Sequence, residues 1–179
     1  MSINIFKISD KLKKEIILYI ISFFFAWAVS ALFSDFPFFR NIIKTLGINS
    51  LLTIIEVNTT KFILIIFNFD VFTQSNFLKI SGTQGIIFAY GCLGIREYLF
   101  FIVFIIFQTG KFINKLWYIP LGTLLLMFIN IIRAAFIAYG QYKNPTHTQL
   151  IHDVVSPLLM YPSIFVLWIV WLSKYSKKK

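Results

Sequence analysis

Long runs of apolar residues divide this chain of 179 residues, and charged residues bound each run. Residues 16–34 contain no charge and are numerous enough to cross a hydrocarbon core, which needs about 20 helical residues. Three further runs, 93–110, 116–139 and 154–173, are similarly apolar. The pattern predicts an all-α polytopic membrane protein with about four transmembrane helices, folded as a single integral membrane domain over residues 1–179.

The first run also contains the small-residue spacing of a signal-peptide cleavage site, at Ala26-Trp27-Ala28. The apolar core of a cleavable signal is shorter, about 7–15 residues, whereas this run continues past the site. We therefore expect an uncleaved membrane anchor.

Two segments between the first and second runs differ from a span. Residues 40–60 carry polar side chains every three to four positions, at Asn41, Thr45, Asn49, Thr53, Glu56 and Thr60. This is the period of a helix with one wet face, so it predicts an amphipathic helix in the membrane interface. Residues 72–88 form short alternating runs around Ser81-Gly82-Thr83, which predicts a small extracytoplasmic β-hairpin.

Composition and charge agree with a membrane location. Hydrophobic residues make up 58% of the chain and charged residues 13%, which excludes an ordinary soluble globule. The net charge of +10 comes from lysines that flank the apolar runs, so it indicates the positive-inside rule and membrane lipids as partners, and no nucleic acid.

Four spans place both termini in the cytoplasm and predict an integral cell (inner) membrane protein. The cations then expected on the cytoplasmic side are Lys7, Lys11, Lys13, Lys14, Lys111, Lys115, Lys174, Lys177, Lys178 and Lys179. The outer segments hold only Arg40, Lys44, Lys61, Lys79 and Lys143.

Three reactive residues are predicted to lie at one depth. Cys92 lies 19 residues before Lys111, and Arg133 lies 18 residues after Lys115. At 1.5 Å per helical residue, both therefore lie about 27–28 Å from the cytoplasmic boundary. His152 precedes the last span on the same outer side, so a thiol, a guanidinium and an imidazole are expected to meet there.

Each of the three has a catalytic interpretation. Cysteine attacks as its thiolate, and this anion is stabilised at the start of a helix. The residues Gly91-Cys92-Leu93-Gly94 predict such a helix start. His152 could exchange the thiol proton with a leaving amine. Arg133 could hold an oxyanion with fixed donors. The chain has only three arginines beside 14 lysines, so an arginine at this position indicates a need for the planar guanidinium group.

Structural interpretations compete with these. A lone buried cysteine is most often a small hydrophobe, and an arginine at a span end usually reaches to lipid phosphates. Arg96 either tunes Cys92 or pairs with Glu97 in the interface, and Asp153 either supports His152 or caps a helix. No ligand cluster has the spacing of a metal site, so no metal or other cofactor is expected.

Three motifs occur in order along the chain: Gly91-Cys92-Leu93-Gly94-Ile95, Asn130-Ile131-Ile132-Arg133 and His152-Asp153. Together they resemble the exosortase/archaeosortase family of membrane cysteine transpeptidases, in particular its compact members from Bacteroidetes. The resemblance covers about residues 72–161. The serine that usually follows the family's cysteine is Leu93 here, which suggests an altered substrate preference.

The resemblance implies that Cys92 is the nucleophile, Arg133 the essential arginine and His152 the third catalytic residue. Asn130 matches the family's helix asparagine and is expected to orient Arg133, with Arg96 as a further supporting residue. The implied reaction is cleavage of the C-terminal sorting signal of a secreted protein on the extracytoplasmic side, followed by transfer to a lipid or cell-surface acceptor. Such a signal contains a short motif, a transmembrane helix and a basic tail.

A non-catalytic membrane protein, such as an assembly factor or a polysaccharide-export subunit, is the alternative. In that protein Arg133 and His152 would bind anionic headgroups. A different intramembrane protease class is disfavoured, because the chain contains no Gly-x-Ser-x-Gly and no His-Glu-x-x-His motif.

Overall fold

A computed structural model describes residues 10–176 of the chain. The helices are α1 (Asp10–Asp35), α2 (Pro37–Thr45), α3 (Ile48–Ile66), α4 (Ile95–Phe107), α5 (Phe112–Lys143) and α6 (Thr148–Lys174). The strands are β1 (Val71–Gln74), β2 (Phe77–Ile80) and β3 (Ile86–Ile87), and short 3-10 turns cover Tyr90–Cys92 and Pro145–His147. Lys7 and Lys177 to Lys179, which were counted as cytoplasmic cations, lie outside the described residues.

Four helices are long and apolar enough to cross a membrane, namely α3, α5, α6 and the Lys13–Asp35 portion of α1. The prediction of an all-α polytopic membrane protein is therefore confirmed. The predicted runs 16–34, 116–139 and 154–173 lie inside α1, α5 and α6.

The predicted span over residues 93–110 is helical only from Ile95 to Phe107, and this helix, α4, is not among the four long candidate spans. Helix α4 has 13 residues and is therefore about 20 Å long, whereas a hydrocarbon core is about 30 Å thick. Most of its apolar side chains pack inside the protein, and Phe101 and Ile105 are fully buried, whereas Ile106 and Phe107 at its end are about half exposed. The residues that flank α4, 93–94 and 108–110, complete the predicted run outside the helix.

The predicted amphipathic helix over residues 40–60 is two helices, because Gly47 adopts a left-handed conformation with φ of 73° between α2 and α3. Helix α2 keeps the amphipathic character, with Ile43 buried and its polar residues exposed. In α3, Glu56 and Thr60 are both 0% exposed. The polar face of α3 therefore points into the protein, and the expected wet face was wrong for this half.

The predicted β-hairpin is confirmed, with a third strand added. The predicted Ser81-Gly82-Thr83 lies in the connection between β2 and β3, which pair antiparallel. Strands β1 and β2 also pair antiparallel with Gln74 opposite Phe77, so a second, tight turn lies at residues 75–76. Ser75 takes a positive φ of 54° in this turn. Strand β3 pairs antiparallel with β2 on the side away from β1.

Helix α5 lies at the centre and packs against α3, α4 and α6, while α1 covers α4. Two buried clusters surround α5. The first, which we call the aromatic cluster, contains Phe101, Phe104, Tyr118, Trp168 and Trp171. The second, which we call the site cluster, contains Leu78, Phe88, Leu93, Ala134 and Ala138.

Candidate functional site

Cys92 ends the 3-10 turn over Tyr90–Cys92, called the Cys92 turn below. Its backbone N–H donates to the Ala89 carbonyl at 2.8 Å, and its side chain is half-buried. Helix α4 begins only at Ile95, after Gly94 with a positive φ of 66°. Cys92 therefore precedes α4 by three residues, and the expectation that it opens this helix was wrong.

The Cys92 turn is anchored to the C-terminal end of α1. The Tyr90 hydroxyl donates to the Phe33 carbonyl at 3.0 Å, and the Arg40 guanidinium lies 4.9 Å from the centre of the Tyr90 ring. Burial raises the pKa of Tyr90, and Arg40 opposes this effect. The phenol is therefore protonated at neutral pH and available as a donor.

The Cys92 carbonyl oxygen accepts two hydrogen bonds from α5. Asn130 Nδ2 and Arg133 Nη2 each lie 3.0 Å from it. These residues are one helical turn apart, so they lie on one face of α5. Arg133 is only 5% exposed, which contradicts the interpretation of an arginine that reaches to lipid phosphates.

Glu56 joins the same network from α3. Asn130 Nδ2 donates to Glu56 Oε1 at 2.8 Å, and the Tyr98 hydroxyl lies 3.4 Å from the same oxygen. The sequence suggested that Asn130 orients Arg133 directly. In the structure the two side chains do not bond to each other, and both donate to the Cys92 carbonyl. Sequence analysis missed Glu56 and Tyr98 as site residues. A carboxylate in an otherwise apolar helix was the available signal, since intramembrane charges are usually paired.

A cavity of about 170 Å³ opens beside the network, and Cys92, Arg133 and His152 all line it. Its remaining walls come from β3 and the adjoining Phe88, from Ala134 and Ile137 of α5, and from the first turn of α6. The three predicted reactive residues belong to elements far apart in sequence. The fold brings them to one cavity.

His152 lies in the second turn of α6 and is half-exposed. Its Nδ1 lies 3.1 Å from Asp153 Oδ1, and Asp153 also accepts a hydrogen bond of 3.0 Å from Gln149 Nε2. Helix α6 begins at Thr148, so Asp153 is not its cap. The carboxylate instead orients the imidazole through Nδ1, and the second ring nitrogen, Nε2, takes no part in this contact.

Arg96 takes no part in this arrangement. Its side chain is half-buried, it is not among the residues that line the cavity, and it has no hydrogen bond or ion pair with any residue from 10 to 176. The expected pairing with Glu97 is absent from that range as well.

Several buried polar atoms of the network lack a protein partner in the described part of the chain. They are Glu56 Oε2, Asn130 Oδ1 and Arg133 Nε. Buried polar atoms in native proteins are normally hydrogen-bonded, to protein or to water. The guanidinium of Arg133 therefore retains donor capacity next to the cavity.

Strand β3 has one edge beside this cavity. Phe88 N–H donates to Asn76 O at 2.8 Å, so by the antiparallel alternation the Ile87 N–H points away from β2. The Gly85 N–H also points away from β2, and the Gln141 side-chain amide bonds to the Gly85 backbone as a neighbouring strand would. It accepts from the Gly85 N–H at 2.8 Å and donates to the Gly85 carbonyl at 3.2 Å.

The described residues contain no group of three or more His, Cys, Asp or Glu side chains that could hold a metal ion. Comparisons of the chain with protein-family models, with curated proteins and with solved structures found no match.

Proposed function

We propose that this protein is a membrane cysteine transpeptidase that cleaves the C-terminal sorting signal of secreted proteins. One observation carries the proposal: Cys92, Arg133 and His152 line the same cavity although they lie in separate elements. These are the three residues that match the exosortase/archaeosortase pattern. The arrangement contains a nucleophile, a donor for an oxyanion and a proton carrier that a carboxylate orients.

The first chemical step is attack by the Cys92 sulfur on the scissile carbonyl carbon. His152 takes the thiol proton, so a C–S bond forms and the carbonyl oxygen becomes an oxyanion. Guanidinium N–H groups of Arg133 that do not bond to the Cys92 carbonyl stabilise this charge. In a site shielded from water such donors are worth more than in solution, and their removal costs about 10²–10³ in rate.

The second step breaks the C–N bond. The imidazolium of His152 gives its proton to the leaving amine, which departs with the transmembrane helix and basic tail of the substrate. The acyl part remains on Cys92 as a thioester. An amine on a lipid or a cell-surface polymer then attacks the thioester and releases the thiol, and water in that role would give hydrolysis.

The edge of β3 is the proposed binding place for an extended substrate peptide. The outward N–H of Ile87 offers a backbone donor on the edge of the sheet, and main-chain pairing of this kind is a common mode of peptide recognition. Gln141 caps the edge at Gly85, so pairing would be limited to the part of the edge nearest Cys92.

The active site is proposed to be extracytoplasmic, with both termini in the cytoplasm. Tyr90 bonds to Phe33, so Cys92 lies at the opposite end of α1 from Lys13 and Lys14. Ser176 bonds to Thr109, which brings the C-terminal end of α6 to the α4–α5 connection. In this topology the segment from Cys92 to Thr109, which contains α4, is the crossing that follows α1. A membrane-impermeant thiol reagent applied to spheroplasts should label Cys92. Labelling that occurs only after lysis would contradict this topology.

The decisive experiment replaces the nucleophile. A reporter carrying a candidate sorting signal is co-expressed with the wild-type chain, Cys92→Ala or Gly91→Ala, and its shortening is followed by immunoblot. Cys92→Ala should lower processing by at least about 10³-fold, because triad members act as a unit. Gly91→Ala is the matched control, since its added methyl group meets no atom within 4 Å.

Both variants should accumulate to the wild-type level. Full processing by Cys92→Ala would refute the proposal and leave the non-catalytic membrane protein as the remaining interpretation.

A further inference from the structure

We infer that Glu56 is a positioning residue, which fixes the conformation of the Cys92 turn through the amide of Asn130. The network that connects them spans three helices and the turn: Glu56 on α3, Tyr98 on α4, Asn130 on α5 and the Cys92 carbonyl. The importance of this positioning for sorting rests on the proposed function. The positioning itself does not.

The burial of Glu56 argues for a specific role. Its side chain is 0% exposed on a helix that is otherwise apolar enough to cross a membrane. Burying a carboxylate costs several kcal/mol before its partners compensate, and an apolar residue of similar volume is often at least as stable. Only Oε1 has partners among the described residues, while Oε2 has none. Packing alone would favour leucine at this position.

Glu56 determines how the Asn130 amide is oriented. The amide nitrogen has two N–H groups, and they donate to two oxygens that accept, Glu56 Oε1 and the Cys92 carbonyl. Without the carboxylate, the Cys92 carbonyl is the one acceptor in the described network that still favours this orientation of the amide. The amide is then held less firmly, and its bond to the Cys92 turn is weakened.

The Asn130 bond is one of two side-chain bonds that hold the Cys92 carbonyl. The only side chains that bond to the Cys92 carbonyl in the described chain are Asn130 and Arg133. Gly91 and Gly94 flank the cysteine, and glycine restrains the backbone less than any other residue. Loss of one anchor should let the turn open, which exposes the thiol and moves it out of line with His152.

The test measures how fast a maleimide alkylates Cys92 in the full-length chain in detergent, at one fixed pH. Glu56→Leu should raise the alkylation rate about fivefold, which corresponds to the loss of one net hydrogen bond. Glu56→Gln keeps an acceptor for Asn130 and should stay within about twofold of wild type. Thr60→Val is the matched control, because Thr60 is equally buried one turn along the same face and its hydroxyl has no partner in the described residues.

A melting curve for each variant separates local opening of the Cys92 turn from unfolding of the protein. A double variant tests whether Glu56 acts through Asn130. Since Glu56 acts through Asn130, Glu56→Leu with Asn130→Leu should alkylate no faster than Asn130→Leu alone. If Glu56→Leu fails to accumulate, Asn130→Leu must itself raise the rate about fivefold, because it removes the same link. An Asn130→Leu rate within about twofold of wild type would overturn the inference in that case.

Failure of the proposed function can be distinguished from failure of the positioning role of Glu56. A wild-type chain that processes no sorting signal contradicts the proposed function, but it leaves the alkylation rates as a valid test of positioning. Equal alkylation of Glu56→Leu and Thr60→Val overturns the positioning role, whatever the chain does to a substrate. If both proposals hold, Glu56→Leu should lower kcat for processing about tenfold with little change in KM, and Glu56→Gln should restore it.

Discussion

The two halves of helix α5 are surrounded by different kinds of side chain. In its first half, Tyr118 lies among large rings, and in the same cluster Phe104 stacks on Trp168 with ring centres 3.9 Å apart. In its second half, Ala134 and Ala138 bring the backbone close to its neighbours, and Asn130 and Arg133 make buried hydrogen bonds. One half is packed with rings, and the other holds a polar network beside a cavity.

The difference shows how stability and chemistry are divided along one helix. Large buried rings contribute most through contact area and leave few unsatisfied polar atoms. The polar network leaves several buried atoms without described partners and a cavity of about 170 Å³, both of which cost stability. We therefore expect the aromatic cluster to set the stability of the protein and the polar network to set the behaviour of Cys92.

The largest expected effect is on the aromatic side. Phe101 is fully buried, so Phe101→Ala should lower the free energy of unfolding by about 3–5 kcal/mol, through lost contact and a residual cavity. The measurement is the melting temperature in detergent, with Phe112→Ala, whose side chain is 74% exposed, as control. Below the melting temperature, alkylation of Cys92 should match wild type. A changed rate would mean that the two halves are coupled.

On the polar side, Arg133→Lys should lower processing about 100-fold, or about 2.7 kcal/mol, although the charge is kept. Lysine lacks the planar fork that can bond to the Cys92 carbonyl and still present a donor to the cavity. The reporter assay measures the effect. Arg96→Lys is the control, because Arg96 bonds to no described residue and lies outside the cavity lining. Near-normal processing by Arg133→Lys would remove the catalytic interpretation of Arg133.

The smallest predicted effect tests how tightly the aromatic side is packed. A methyl group at Gly122 would clash with the Phe101 ring, so Gly122→Ala should cost about 1–2 kcal/mol of stability by overpacking. Gly91→Ala, with open space around it, should leave the melting temperature unchanged. Equal melting temperatures for the two variants would show that the aromatic cluster adapts more easily than its geometry suggests.

Some features could be predicted from sequence because they depend on local composition. The runs that became α1, α5 and α6 are apolar over a length that suits a membrane, and the alternation over residues 72–88 suits strands. The candidate residues Cys92, Arg133 and His152 stood out because each is rare in this chain or lies at the edge of an apolar run. Their assignment to one depth relied on counting residues along helices.

The errors share a physical cause. Residues 93–110 and the polar face of α3 were interpreted by assuming that apolar side chains meet lipid and polar side chains meet water. In the structure Phe101 packs against protein, and Glu56 bonds to Asn130 in the interior. A residue's partners lie on other elements, so neither error could be corrected from the residues alone.

The sequence by itself determined that this chain is a helical membrane protein and which rare side chains it offers for chemistry, because hydropathy and residue type are local properties. Only the tertiary structure decided that α4 is a short and mostly buried helix, that Cys92, Arg133 and His152 line one cavity, and that Glu56 and Asn130 join the Cys92 carbonyl in one hydrogen-bond network. These depend on contacts between residues 38 to 74 positions apart, and such contacts form only when the packing of all the helices is settled together.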